Sequence, residues 1–159
     1  MTIKVRLSDD LKDAMRARDE LRRNVLRSVL TAISNAEIAR VDVKDAAASR
    51  SELADADVAA VLRKQAKQRR ESAGEYRKAA RTDLAEREEA EAAIIDAYLP
   101  QELSRDEIAS EVRAVIAEVG ASGPGDKGRV MPAAMARLRG RADGRTVNEV
   151  VTELLAGGA

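Results

Sequence analysis

Cysteine, histidine, tryptophan and phenylalanine are all absent from this chain, and tyrosine occurs only at Tyr76 and Tyr98. Each absence excludes something. Without cysteine there is no disulfide and no thiolate chemistry. Without histidine as well, most nucleophile–base pairs and most zinc sites are gone. A core must be assembled from Leu, Ile, Val, Ala and Met, and few rings remain on which a nucleic-acid base could stack. No apolar run approaches the roughly 18 residues that a membrane span needs, so no membrane association is expected. The opening MTIKVRLSDD has no apolar signal core, and a cytoplasmic location is the default expectation. Basic and acidic residues number 28 each. A net charge of zero argues against a general polyanion binder, so local clustering has to carry any case for nucleic acid.

What is present favours helix. Ala, Leu, Arg, Glu and Lys dominate the 159 residues, with 9 Gly and 3 Pro. Ile3, Leu7, Leu11, Ala14 and Met15 recur at helical spacing and predict a helix over Ile3–Ala17. Asp19 can cap a second, central helix over Glu20–Arg40. Val41–Glu52 breaks the period and reads as a loop. A long helix follows from Asp55 to about Ala80, with polar Gln65, Arg69 and Ser72 at positions on its apolar stripe, where they need partners. Its basic run (Arg63, Lys64, Lys67, Arg69, Arg70) is complemented by Asp83, Glu86, Glu88, Glu89, Glu91 and Asp96 on a helix over Leu84–Tyr98. An antiparallel hairpin about Arg81 would set Arg70 near Glu91 and Arg77 near Glu86. Asp83 with Glu86 resembles a capping box.

Pro100 ends this part by forcing Leu99 out of the helical region. Ser104 with Glu107 forms a capping box, and Gly120 stops the helix that it opens. Ala121–Asp126 is a Gly/Pro loop. A helix around Met131–Leu138 follows, then a turn, then a last helix whose start carries a capping-box pattern at Thr146 and Glu149. The expected fold is all-α: a helical bundle of about four helices over 1–99, then a three-helix tail over 100–159.

The stretch KGRVMPAAMARLRGRADGRT, residues 127–146, is the most specific signal. Gly140 follows the last apolar stripe residue, Leu138, and suits a left-handed C-terminal cap. Lys127 and Arg129 lie at one end of the helix, and Arg137, Arg139, Arg141 and Arg145 at or beyond the other. Arginine, which grips phosphate bidentately, supplies all but one of these cations. Glycine turns allow backbone N–H groups to approach phosphates. Arginine near a helix C-terminus also answers the helix dipole, which is the plainer reading.

GRADGRTVNEVVTELL resembles the tail shared by YqeY proteins and the B subunit of glutamine-dependent tRNA amidotransferases (GatB). RKQAKQRRESAGEYRKAARTDLAEREEAEAAIIDAYLPQELS is similar to the YqeY pattern as well, so the resemblance covers nearly the whole chain. Pro132 and Ala80 depart from it, since glycine is expected at both. The resemblance implies a stand-alone protein, because the large catalytic region of GatB is absent. It also implies a tail that contacts tRNA away from any catalytic centre. The implied RNA-binding residues are Lys127, Arg129, Arg139, Gly140, Arg141, Gly144 and Arg145, with tRNA as partner and synthetase or amidotransferase subunits as possible further partners. The family association is with carbon–nitrogen ligation using glutamine as amide donor. The residues do not support that as an independent activity, for there is no amidase nucleophile arrangement and no recognisable ATP site. No catalytic residue, metal or cofactor is expected. Glu88 and Glu91 share a helix face, but without a Glu-x-x-His motif they are better explained by pairing with Arg69 or Lys67. Gly123-Pro124-Gly125-Asp126-Lys127-Gly128 lacks phosphate-loop spacing and reads as a connector. The competing function is a protein–protein adaptor that docks on a synthetase or amidotransferase without touching RNA.

Overall fold

The computed structural model describes residues 1–40 and 52–157. The loop expected over Val41–Glu52 therefore lies outside the described residues, apart from Glu52. Among those described there are seven α-helices and no strand: α1 (Ile3–Arg16), α2 (Glu20–Ala39), α3 (Asp55–Lys78), α4 (Thr82–Asp96), α5 (Arg105–Val119), α6 (Lys127–Leu138) and α7 (Gly144–Ala156). The chain divides into two compact units, Met1–Leu99 and Pro100–Ala159.

In the first unit α1–α4 share one core, with Leu7, Leu26, Val29, Ile33, Val58, Leu62 and Ile95 at its centre. Helix ends are set by short polar residues. Thr2 Oγ1 accepts the Val5 N–H at 3.3 Å, and Asp19 accepts the Arg22 N–H at 3.0 Å, as its sequence position suggests. Asp55, at the start of α3, accepts the Ile3 N–H at 3.0 Å and so ties α3 to α1. The start of α4 differs from expectation. Thr82 is its first residue, and Asp83 lies inside the first turn, paired with Arg81 at 3.2 Å. Tyr98 packs as a buried residue with a hydrogen-bonded hydroxyl. That hydroxyl donates to Asp10 and accepts from Arg22 Nη2 at 3.4 Å, while the Arg6 guanidinium lies 5.4 Å from the ring centroid. Burial pushes the Tyr98 phenol above its usual range.

The α3–α4 hairpin buries small side chains (Ala73, Ala85 and Ala92) and is joined by ion pairs. Arg69 meets Glu91 at 3.1 Å, Arg70 meets Asp96, and Arg77 meets Glu89 at 2.6 Å. The expected partners for Arg70 and Arg77 were Glu91 and Glu86. The true ones lie further along α4 because helical side chains lean toward their own N-terminus, so an α3 arginine reaches toward the C-terminal end of its antiparallel neighbour. Arg69, the charged residue on the inward stripe, is fully engaged. Besides Glu91 it donates to the Gln65 carbonyl and side chain and to Ser28 Oγ at 3.2 Å.

The second unit packs α5, α6 and α7 around Ile108, Val112, Val130, Ala134, Leu138, Val147 and Val151. The Ser104–Glu107 capping box forms as the sequence indicates, and Gly120 closes α5 at φ +67°. Pro132 lies within α6. It removes one helical N–H, yet the helix begins at Lys127, earlier than the expected Met131.

Three helices close with the same pair of hydrogen bonds, those of a Schellman motif. In α5 they run from Ala121 N–H to the Ile116 carbonyl and from Gly120 N–H to the Ala117 carbonyl; in α3 from Arg81 to Tyr76 and from Ala80 to Arg77; in α1 from Asp19 to Ala14 and from Arg18 to Met15. Only α5 has glycine at the left-handed position. Ala80 (φ +56°) and Arg18 (φ +55°) carry a Cβ there. A left-handed L-residue costs about 1–2 kcal/mol, of which glycine's larger unfolded-state entropy would return about 0.5–1. Ala80→Gly is therefore expected to raise unfolding stability by up to about 1 kcal/mol. Gly120→Ala should lower it. Denaturant midpoints would check both, and a destabilised Ala80→Gly protein would contradict this account of the turn.

Candidate nucleic-acid interface

The glycine-bracketed basic segment is built on a tight reversal between α6 and α7. Arg139 has φ −53° and ψ 127°, Gly140 has φ +72°, and the Arg141 N–H donates to the Leu138 carbonyl at 2.9 Å. That is the pattern of a type II turn, whose third residue needs the positive φ that glycine supplies without strain. Buried Leu138 anchors one side, and half-buried Ala142 packs on the core at the other. The Arg141 carbonyl accepts the Leu103 N–H at 2.9 Å, which fastens the turn to the segment leading into α5.

α7 begins three residues earlier than the Thr146–Glu149 pattern suggests. Asp143 is the cap, accepting the Thr146 N–H at 3.2 Å and its hydroxyl at 3.4 Å. Aspartate outcompetes threonine for the site because its charged oxygen accepts more strongly and answers the helix dipole. Gly144 is the first residue of α7. A Cβ there would sit 3.3 Å from the terminal methyl of Met135.

Seven residues grouped by sequence separate into two places. Lys127 and Arg129 start α6, whereas Arg139, Gly140, Arg141, Gly144 and Arg145 lie beyond its end, about 15 Å along the axis at the usual rise per residue. Arg129 is committed to local structure: one guanidinium nitrogen donates to the Val119 carbonyl at the end of α5 (3.1 Å), the other pairs with Asp126 (2.7 Å). Asp126 in turn fills the Gly/Pro loop, accepting the Ser122 N–H at 2.8 Å and the Gly123 N–H at 3.4 Å. The amides that a phosphate would need there are already occupied, which accords with a connector. Arg137 is held by Glu111 at 2.5 Å and Glu118 at 2.8 Å.

At the turn itself the charges are more open. Arg141 is exposed and has no ion-pair partner among the described residues. It is one of the charges that hold the Glu107 carboxyl below its usual range, after the backbone and hydroxyl of Ser104. Arg145 is 85% exposed, and its one carboxylate contact among the described residues is Glu149 Oε1 at 3.4 Å, whose other oxygen accepts from Arg105. Arg105 also binds Glu153 at 2.5 Å. Sequence spacing gave no sign of this Arg105 bridge, because it joins two helices more than forty positions apart. The arrangement presents guanidinium groups on a tight turn, which suits phosphate oxygens, while the α7 N-terminus beside them is already capped by the Asp143 carboxylate. Among the described residues no group of acidic side chains is placed to hold a metal ion.

A family model described as Yqey-like protein matches residues 4–155, and the chain belongs to that family. Among curated relatives, it is 37% identical over 120 residues to altered inheritance of mitochondria protein 41, mitochondrial, of Lachancea thermotolerans, covering 74% of this chain and 60% of that protein. It is likewise 37% identical over 121 residues to the Kluyveromyces lactis protein of the same name, covering 74% and 60%. The Vanderwaltozyma polyspora protein is 37% identical over 93 residues, covering 58% and 46%. The chain thus spans about half to three-fifths of the relatives that it matches. These names correct the cytoplasmic expectation, since they place the relatives in mitochondria. The absence of an apolar core in the opening residues does not separate cytosol from an organelle interior.

Asp126 offers a direct check on the α5–α6 connector. The Ser122 amide, then the Arg129 guanidinium, hold its carboxyl down to about 2, against an ordinary value of about 3.9. A depressed carboxyl stabilises the fold above its unfolded value and loses that contribution as pH falls through its folded value. The connector should therefore stay intact down to about pH 4 and loosen between about pH 4 and 2. An NMR titration that places the Asp126 carboxyl near 4 would show the loop bonds absent in solution.

Proposed function

We propose that this protein is a tRNA-binding accessory factor whose second unit grips the phosphate backbone through the α6–α7 turn. The observation that carries the reading is the turn itself: Arg139, Arg141 and Arg145 on a glycine-dependent reversal, pinned at Leu103 and capped by Asp143. The resemblance of GRADGRTVNEVVTELL to the GatB tail supports the same ligand. Gly140 is required by the turn, whereas a Cβ at Gly144 would need only a small shift of the flexible, exposed Met135 side chain. Lys127 and Arg129 at the far end of α6 contribute long-range attraction more than contact. With both tyrosines set in the other unit, recognition rests on backbone and shape rather than stacked bases. Chemistry is left to any tRNA-modifying partner, and association with an amidotransferase or synthetase would deliver the bound tRNA to it.

The test is a titration of full-length protein with folded tRNA at two salt concentrations. Each phosphate contact contributes roughly 0.7–0.9 to the log–log salt slope, so three or four contacts give a slope of about −3. Arg141→Glu with Arg145→Glu is expected to weaken binding and flatten that slope by about 1–2, with helix content unchanged by circular dichroism. Equal affinities, or binding indifferent to salt, would overturn the reading and favour the RNA-free adaptor.

A further inference from the structure

The first unit carries a basic surface of its own. From Leu21 to Ala36, α2 contains Arg22, Arg23 and Arg27 and no acidic residue, in a chain whose acidic and basic residues are equal in number. Arg22 points inward and is answered by Asp10 at 3.0 Å. Arg23 and Arg27 have no carboxylate partner among the described residues. Arg23 contacts the neighbouring Asn24 amide, and Arg27 approaches the Met15 thioether at 4.0 Å. Asn24, Arg27, Ser28, Thr31 and Asn35 recur at three- and four-residue steps and are all exposed, so one face of α2 is arginine, amide and hydroxyl throughout. At the start of the helix the exposed Glu20 adjoins this face, and the other nearby carboxylates are occupied. Asp19 caps the helix, and buried Glu37 holds Lys4 at 2.7 Å and the Leu53 N–H at 3.2 Å.

The surface continues onto the hairpin. Arg69 Nη2 donates to Ser28 Oγ at 3.2 Å, which brings Arg69 to the edge of this face. Glu91 lies between Arg69 (3.1 Å) and Arg87 (3.5 Å), a single carboxylate between two guanidinium groups. Like charges four apart, as at Arg23 and Arg27, weaken a helix. A polyanion laid across them reverses that effect.

We propose that the face of α2 that carries Arg23 and Arg27, with the adjoining exposed Arg87, is a second contact surface for the phosphodiester backbone of a structured RNA, Arg69 serving to tie the hairpin to that face. Guanidinium groups give forked contacts to phosphate, and the Asn24, Thr31 and Asn35 side chains supply donors and acceptors suited to ribose hydroxyls. The face presents two exposed large apolar side chains at its margins, Met15 on α1 and Ile38 at the end of α2, too few to insert into a lipid surface. The inference goes beyond the tail reading and does not require it, since the two basic surfaces lie in different units.

Full-length protein carrying Arg23→Glu and Arg27→Glu tests it, beside Arg23→Lys with Arg27→Lys and the tail pair Arg141→Glu with Arg145→Glu. The probe is a folded tRNA transcript, and vesicles of mixed neutral and anionic phospholipid form the second arm. The glutamate pair is expected to weaken RNA binding about fivefold or more and flatten the salt slope by about 1–2. The lysine pair should keep the slope and lose a smaller part of the affinity, which excludes misfolding as the cause. Wild-type affinity and slope in the glutamate pair would overturn this inference while leaving the tail reading intact. Loss in this pair with none in the tail pair would do the opposite. Vesicle binding abolished by the glutamate pair, with RNA binding unchanged, would assign the face to lipid and reject the proposal.

Discussion

Arginine paired across a helix interface with a carboxylate is the interaction on which this structure depends. The chain has few large side chains with which to define helix register. Between α3 and α4 the buried side chains include Ala73, Ala85 and Ala92, which allow close approach but discriminate poorly between one register and the next. Arg69 with Glu91 and Arg77 with Glu89 supply that discrimination. In the second unit Arg137 bridges α6 to α5 through two glutamates, and Arg105 bridges α5 to α7 through two more. Exposed pairs contribute only about 0–1 kcal/mol each, so their main effect is on alignment. Arg69 and Glu91, at 12% and 19% side-chain exposure, are the exception, because loss of either leaves a largely desolvated charge.

The same pairing decides what is left for a ligand. With equal numbers of basic and acidic residues, every arginine bound to a carboxylate across an interface is withdrawn from the outer field. Arg22, Arg77, Arg105 and Arg137 are used in this way, and Arg129 is held locally by Asp126. Arg141 at the α6–α7 turn and Arg23 and Arg27 on α2 are not. On the proposed reading, a neutral protein presents phosphate-binding surfaces where the fold leaves arginines without a carboxylate partner.

Much of the architecture was legible in the sequence. Helical spacing located the helices, Asp19 and the Ser104–Glu107 box set two of the starts, and Gly120 and Pro100 marked their stops. The errors have physical causes. Asp143 took the cap that Thr146 was expected to hold, since a nearby carboxylate outcompetes a hydroxyl. Ion-pair partners on α4 were displaced because symmetry about Arg81 ignores the lean of helical side chains. The candidate site was only partly legible. Sequence adjacency joined Lys127 and Arg129 to Arg139–Arg145, whereas the helix between them holds the two groups apart. Gly144 read as an opening for phosphate and is filled by Met135. The α2 face stood in plain view as a run without acidic residues, yet only the structure tells Arg22, which is paired, from Arg23 and Arg27.

The division of arginines into those that align helices and those that meet phosphate can be measured directly. Arg137→Gln and Arg141→Gln remove the same charge from the same unit. The salt slope of tRNA binding and the thermal midpoint of each full-length variant should move separately. Arg137→Gln is expected to lower the midpoint and leave the slope unchanged. Arg141→Gln should flatten the slope by roughly 0.7–0.9 and leave the midpoint in place. If the two variants change slope and midpoint alike, pairing within the fold does not determine which arginines are available to RNA, and the account is wrong.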